Sequence, residues 1–171
     1  MHNALSHVIH GSNMKLASGI APLVPLLRAG ICVGLGTDGA ASNNNLDMLE
    51  EIRLAALLQK VHTRDPMAIP AKQALELATI NGAQALGLGK VTGVLAPGYH
   101  ADITLFDMQA PHWYPRHDRL SLLAYSASAG DVHTVLVDGR VLLANRRLTT
   151  IDEEKMLHEV QSRGMRLVKQ P

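Results

Sequence analysis

A single cysteine, Cys32, stands in a chain of 171 residues. It has no partner for an internal disulfide, which fits a reducing cytoplasm. Lying within an apolar run, it reads as a plain buried thiol. No block of Lys or Arg occurs and the formal net charge is +1, so nothing points to nucleic acid or an anionic membrane. The pair Arg146-Arg147 reads as the surface of a hairpin. No apolar run reaches the roughly 18 residues of a membrane span. Met1-His2-Asn3-Ala4 lacks the basic and apolar regions of a secretory signal. Internal repeats, low-complexity tracts and His-x-His pairs are all missing. What remains is 47% hydrophobic and 18% charged, the balance of an ordinary soluble protein of one domain or two small ones.

The pattern of apolar residues changes along the chain. Residues 5–10 read as a short strand and Ser12 to Gly19 as a polar loop. Residues 22–28 carry Leu23, Leu26 and Leu27 at helical spacing, and Gly30 follows as a C-cap. A strand over 31–35 comes next. A helix over 46–60 begins with Asp47, Glu50 and Glu51, which suit the positive end of its dipole. Pro70 opens a further helix running to about residue 86, with Ala71, Ala74, Leu75, Ala78 and Ala85 on its stripe. Strand–helix–strand–helix order predicts a parallel sheet with crossovers. Beyond Gly87-Leu88-Gly89 the segments are short and alternating. Residues 103–106, 134–137 and 141–143 read as strands, the last two joined by an Asp138-Gly139 hairpin turn. Residues 108–119 read as an irregular excursion, with Trp113 and Tyr114 packing it onto the β region. A capping box, Thr150 with Glu153, opens a last helix whose face carries Leu157, Val160, Gly164 and Leu167.

The run Gly34-Leu35-Gly36-Thr37-Asp38-Gly39-Ala40-Ala41-Ser42-Asn43-Asn44-Asn45 concentrates the chemistry. An apolar strand ends in a turn carrying one acid, Asp38. A carboxylate at the C-terminal end of a buried parallel strand is where barrel enzymes place metal ligands and catalytic acids. Read alone, Asp-Gly is also a common turn pair.

Several motifs in order carry a resemblance. Ser12-Asn13-Met14-Lys15-Leu16-Ala17-Ser18-Gly19, Gly36-Thr37-Asp38-Gly39, Ser42-Asn43-Asn44 and Leu46-Asp47 come first. Asn81-Gly82-Ala83-Gln84-Ala85-Leu86-Gly87, Ala101-Asp102-Ile103 and Val137-Asp138-Gly139-Arg140-Val141 follow. Together they resemble the amidohydrolase superfamily, in particular its 5-methylthioadenosine/S-adenosylhomocysteine deaminases and the related triazine chlorohydrolases. The resemblance implies an α/β fold, a (β/α)8 barrel with a β-sandwich attached, and one zinc or other divalent ion. Its ligands would be a His-x-His pair on the first strand, a histidine on the fifth and an aspartate on the eighth. Asp38 matches that aspartate and is expected both to face the metal and to take a proton from the attacking water. Asn13, Ser42 and Asn43 are the candidate substrate-binding residues. For Ser42, Asn43 and Asn44, capping of the next helix stands equally open, and Asn13 and Lys15 also read as braces of the loop. Of the nine histidines only His10 is singled out, because its strand end lies beside that of Asp38.

The same resemblance predicts an incomplete enzyme. Such a barrel takes about 250 residues, and here only its last two βα units have a counterpart. The expected division is a partial barrel over 1–90, a β-sandwich segment over 91–150 and a C-terminal helix over 151–171. The motif His-x-Pro-x-Ser-Asn is shortened to His10-Gly11-Ser12-Asn13. His7 and His10, three apart on a strand, would point to opposite faces. The chain is therefore expected to be inactive alone and to hold no metal of its own, or to share one. Its nucleoside substrate would be handled by the intact enzyme, and its open edges would be covered by self-association or by a complementary chain. A triazine hydrolase and a non-catalytic assembly domain are the alternatives.

Overall fold

A computed structural model describes residues 5–168. Strand β1 (Leu5–Val8) leads into helix α1 (His10–Lys15), then α2 (Leu23–Arg28) and strand β2 (Cys32–Leu35). β1 and β2 pair in parallel, Leu5 opposite Cys32 and Val8 opposite Leu35. The turn between α2 and β2 is closed by Gly30 at φ 74°. There Gly30 N–H donates to the Leu27 carbonyl at 3.0 Å and Ile31 N–H to Leu26 at 3.1 Å, a left-handed helix ending that glycine adopts freely. Beyond β2 come α3 (Ala40–Asn43), α4 (Met48–Thr63), α5 (Ala71–Ala78) and α6 (Ile80–Ala85).

Helix α4 is the hub. Asp47 caps it, its Oδ1 accepting from Leu49 N–H at 2.8 Å and Glu50 N–H at 3.3 Å. Leu49, Ile52, Ala55 and Ala56 bury an apolar stripe against a core shared by Val8, Leu23, Val33, Leu77 and Ala124. Its polar side chains fasten loops. Gln59 Nε2 donates to the Ala21 carbonyl at 3.0 Å and Lys60 Nζ to that of Ile69 at 3.0 Å. Arg53 donates to the carbonyl of Ala127.

The second half holds strand β3 (Ile103–Phe106), a 3-10 turn over Pro111–Trp113, helix α7 (Arg119–Tyr125), and strands β4 (Val132–Val137), β5 (Arg140–Ala144) and β6 (Arg147–Leu148). These four strands form one antiparallel sheet in chain order. Asp138 and Gly139 take φ 49° and 74°, the left-handed pair that a two-residue hairpin requires. Helix α8 (Glu153–Val168) closes the chain and has no buried residue. No helix among the described residues is long and apolar enough to cross a membrane.

Several expectations are corrected. Residues 10–15 are helical, not strand end and loop, because a distant carboxylate takes up their free N–H groups, as described below. The expected helix from Pro70 to residue 86 is two, broken at Thr79 with φ −119° and ψ −94°. The break turns α6 onto β2, where a Cβ on Gly34 would stand 3.0 Å from Gly82 Cα. The excursion over 108–119 runs into a helix, α7, capped by Asp118 through Leu120 N–H at 3.1 Å. Trp113, 1% exposed, joins the buried core against which Phe106 of β3 also packs, while Tyr114 is exposed beneath Arg116. The last helix is started by Asp152, whose Oδ1 accepts from Lys155 N–H at 3.1 Å, in place of the Thr150 box. Cys32 is only half-buried, 3.6 Å from the Asn81 carbonyl.

Candidate active site

The carboxyl ends of two parallel strands open side by side, and the loops leaving them bring the polar groups together. Gly36 N–H donates to the Val8 carbonyl at 3.0 Å, extending the pairing to the turn itself. Asp38 then adopts φ 61°, a left-handed conformation that aspartate tolerates better than bulkier residues. That twist lifts its carboxylate out of the strand line, where it is exposed. Ser12 Oγ donates to Asp38 Oδ2 at 2.8 Å and Gly39 N–H to Oδ1 at 2.7 Å. The Ser42 and Ser12 hydroxyls and the Gly39 N–H hold the Asp38 carboxyl below its ordinary range. Ser12 is the direct hydroxyl donor, since Ser42 Oγ spends its hydrogen on the Gly39 carbonyl at 3.1 Å. Asp38 is thus an ionised acceptor with lone pairs facing solvent.

Ser42 and Asn43 lie in α3, beside Asp38 but not capping α4, a task that Asp47 performs. Asn43 Nδ2 donates to the Thr37 carbonyl at 2.7 Å and to Glu51 Oε1 at 3.2 Å. Asn13 is half-buried in α1, one residue beyond Ser12. Lys15 braces the loops as expected, donating to Asn44 Oδ1 and to the Ala41 carbonyl at 3.4 Å.

His10 differs from its expected place. It opens α1 and is fully buried, with no hydrogen-bond partner for either ring nitrogen among the described residues. Burial lowers its pKa from 6.5 to about 4, so it is neutral at pH 7. His7 is exposed on β1. Glu51 was read as a dipole partner of α4; it is 1% exposed and turned inward. Its signal was weak but present, since it follows Met48 by three and precedes Ala55 by four on the apolar stripe.

Could these residues hold a metal? Among the described residues no group of three or more His, Cys, Asp or Glu is placed to do so. Zinc in proteins takes about four ligands, three of them protein side chains even in open catalytic sites. Asp38 offers one carboxylate, so this set does not make a metal cage. A cavity of about 500 Å³ near Arg28, Asp65 and Gln73 shares no residue with the Asp38 loops.

Parallel strands whose C-terminal loops gather an ionised aspartate, serine hydroxyls and a buried carboxylate make an α/β arrangement of the kind in which barrel enzymes place their sites. The chain matches the amidohydrolase family over residues 4–142 and belongs to it. It is 57% identical over 157 residues to a 5-methylthioadenosine/S-adenosylhomocysteine deaminase of Pelotomaculum thermopropionicum, covering 92% of this chain and 36% of that protein. The corresponding enzyme of Dictyoglomus thermophilum is 54% identical, with 92% and 37% covered. Among solved structures, an adenosine deaminase from Xanthomonas campestris with bound zinc superposes with a TM-score of 0.93 at 37% identity, covering 96% of this chain and 38% of that one. A zinc complex of an atrazine chlorohydrolase from Arthrobacter aurescens gives 0.81 at 31% identity, covering 91% and 35%. The chain therefore spans little more than a third of the proteins it matches.

Proposed function

We propose that the chain supplies the aspartate-bearing, C-terminal part of a metal-dependent aminohydrolase that deaminates an adenine nucleoside, 5-methylthioadenosine or S-adenosylhomocysteine. In this reading β1 and β2 correspond to the seventh and eighth strands of a barrel. In the same division 1–90 is its last two βα units and the following helix, 91–150 a segment of the attached β-sandwich and 151–171 the C-terminal helix segment, with residues 1–4 and 169–171 outside the described part. Asp38 is the metal-facing and catalytic carboxylate, and Asn13, Ser42 and Asn43 stand at the substrate mouth.

The observation that carries the reading is the place of Asp38 in its sequence and fold. An aspartate held ionised by Ser12 and Gly39 sits where β2 ends, in a chain 57% identical to a deaminase of this specificity. The triazine alternative has the lower identity, 31%, to an atrazine chlorohydrolase. The donors of this chain stop at one carboxylate, so it does not turn over nucleoside by itself. A complementary chain supplies the rest, and self-association or that chain covers the open edges.

The test is ammonia release from S-adenosylhomocysteine by the purified 171-residue chain under saturating zinc. No turnover is expected; clear turnover refutes the incomplete site. Adding the remaining segment of a relative as a separate chain should restore activity, and Asp38→Asn should abolish it. A strictly monomeric chain in light scattering at high concentration would count against self-association.

A further inference from the structure

The Asp38 loop and the α1 turn come from different strands; Ser12 joins them at Asp38 itself through one hydroxyl bond, and Lys15 braces them further out. Something must hold the two loops at that distance. Glu51, on the first turns of α4, is the side chain that touches both. Its Oε1 and Oε2 accept from Gly11 N–H at 2.9 and 3.2 Å. This is a free donor at the start of α1, a place where a carboxylate is favoured by both hydrogen bonding and the dipole. On the other side Oε1 accepts from Asn43 Nδ2 at 3.2 Å, and the same amide group donates to Thr37, next to Asp38, at 2.7 Å.

Two further observations support a built arrangement. Glu51 is 1% exposed, and burying a carboxylate is costly unless donors surround it. Burial lifts its carboxyl above the ordinary range while the Gly11, His10 and Asn43 donors pull it down. Residue 11 is also a glycine for a steric reason. A Cβ there would overlap Glu51 Oε1 and lie 2.8 Å from both side-chain amide atoms of Asn43.

We infer that Glu51 is the positioning residue of the Asp38 site, a buried carboxylate that clasps the two strand-end loops and so sets the Ser12–Asp38 contact. Its importance for catalysis rests on the reading of Asp38 given above; the clasp itself does not. Glu51 lies a full loop away from the reacting atoms and acts only through Asn43 and the α1 turn.

Amide hydrogen exchange on the 171-residue chain tests it. Glu51→Ala should speed exchange at Gly11 by roughly 10- to 100-fold, the usual effect of losing a hydrogen bond to a charged acceptor. The decisive amide is Gly39, which bonds Asp38 and does not touch Glu51. It should accelerate by roughly tenfold as the Asp38 loop is released. Ile52→Val, a mild loss of packing on the same helix, should leave Gly39 within about twofold. Should Glu51→Ala fail to fold, Glu51→Gln serves: it keeps one acceptor oxygen and the volume, and should give intermediate rates at both amides. Acceleration at Gly11 with Gly39 unchanged, in either Glu51 variant, overturns the inference. So does equal acceleration of Gly39 by Ile52→Val. A chain in which Gly39 responds but Asp38→Asn leaves a reconstituted enzyme active would remove the role of Asp38 and leave the clasp standing.

Discussion

Residues before and after Gly89 are stabilised in different ways. In the first region one helix, α4, buries six of its residues and reaches side chains to loops 38 and 40 positions away. In the second, no residue of strands β3 to β6 is fully buried, and the register of β4 to β6 is set by hairpins whose turns, Asp138-Gly139 and Asn145-Arg146, all have positive φ. Long-range polar ties create a site; local turns create a platform. The carboxylate suited to chemistry falls in the region whose geometry depends on distant residues, where a loop can be held to a fraction of an ångström by partners it does not adjoin.

That contrast can be broken from its strongest side first. Leu77→Ala removes a fully buried side chain from the core beneath α4 and should cost about 2–5 kcal/mol in denaturant unfolding. Acid comes next. Because burial holds His10 at about 4 when folded against 6.5 when free, the unfolded chain binds the extra proton between those values. His10 should therefore make stability fall as pH drops through that window, by on the order of 3 kcal/mol, and His10→Asn should remove that contribution to the slope. Glu51 works with the opposite sign: its raised carboxyl takes up a proton first in the folded chain, so Glu51→Gln should steepen the acid slope. Asp47→Ala removes both the α4 cap and the bond from Ala129 N–H to Oδ2 at 3.0 Å, one of the ties between the two regions. It should cost about 1–2 kcal/mol and loosen residues 128–131 in hydrogen exchange. Leu157→Ser on the exposed face of α8 should change stability by less than about 0.5 kcal/mol; a large loss would show that α8 is packed in solution.

Much of this was readable from residue order alone. The parallel pair, the Asp38 turn and the hairpin at Asp138-Gly139 follow from apolar runs, glycine positions and turn chemistry, all of which act within a few residues. The features that were missed depend on contacts between distant residues. Helix α1 consists of His, Gly, Ser, Asn, Met and Lys, a weak helical composition, and forms with Glu51, some 40 positions on, taking its free N–H groups. The break at Thr79 has no Pro or Gly to announce it and serves to lay α6 on β2. The start of α7 did carry a local signal, Asp118 before an apolar run, hidden behind the Pro-rich stretch that precedes it. Glu51 was seen but assigned to the dipole, because nothing within its own helix reveals that a glycine from elsewhere has left room for it.

The meeting of Gly34 with Gly82, backbone against backbone at the crossing of α6 and β2, has one more consequence. A methyl group on Gly34 would act as a wedge, and the helix would have to step back from the strand. Since β2 runs straight into the turn at Asp38, such a wedge would tilt the carboxylate from below, so the aim of the acid is guarded at a point where no polar atom is involved.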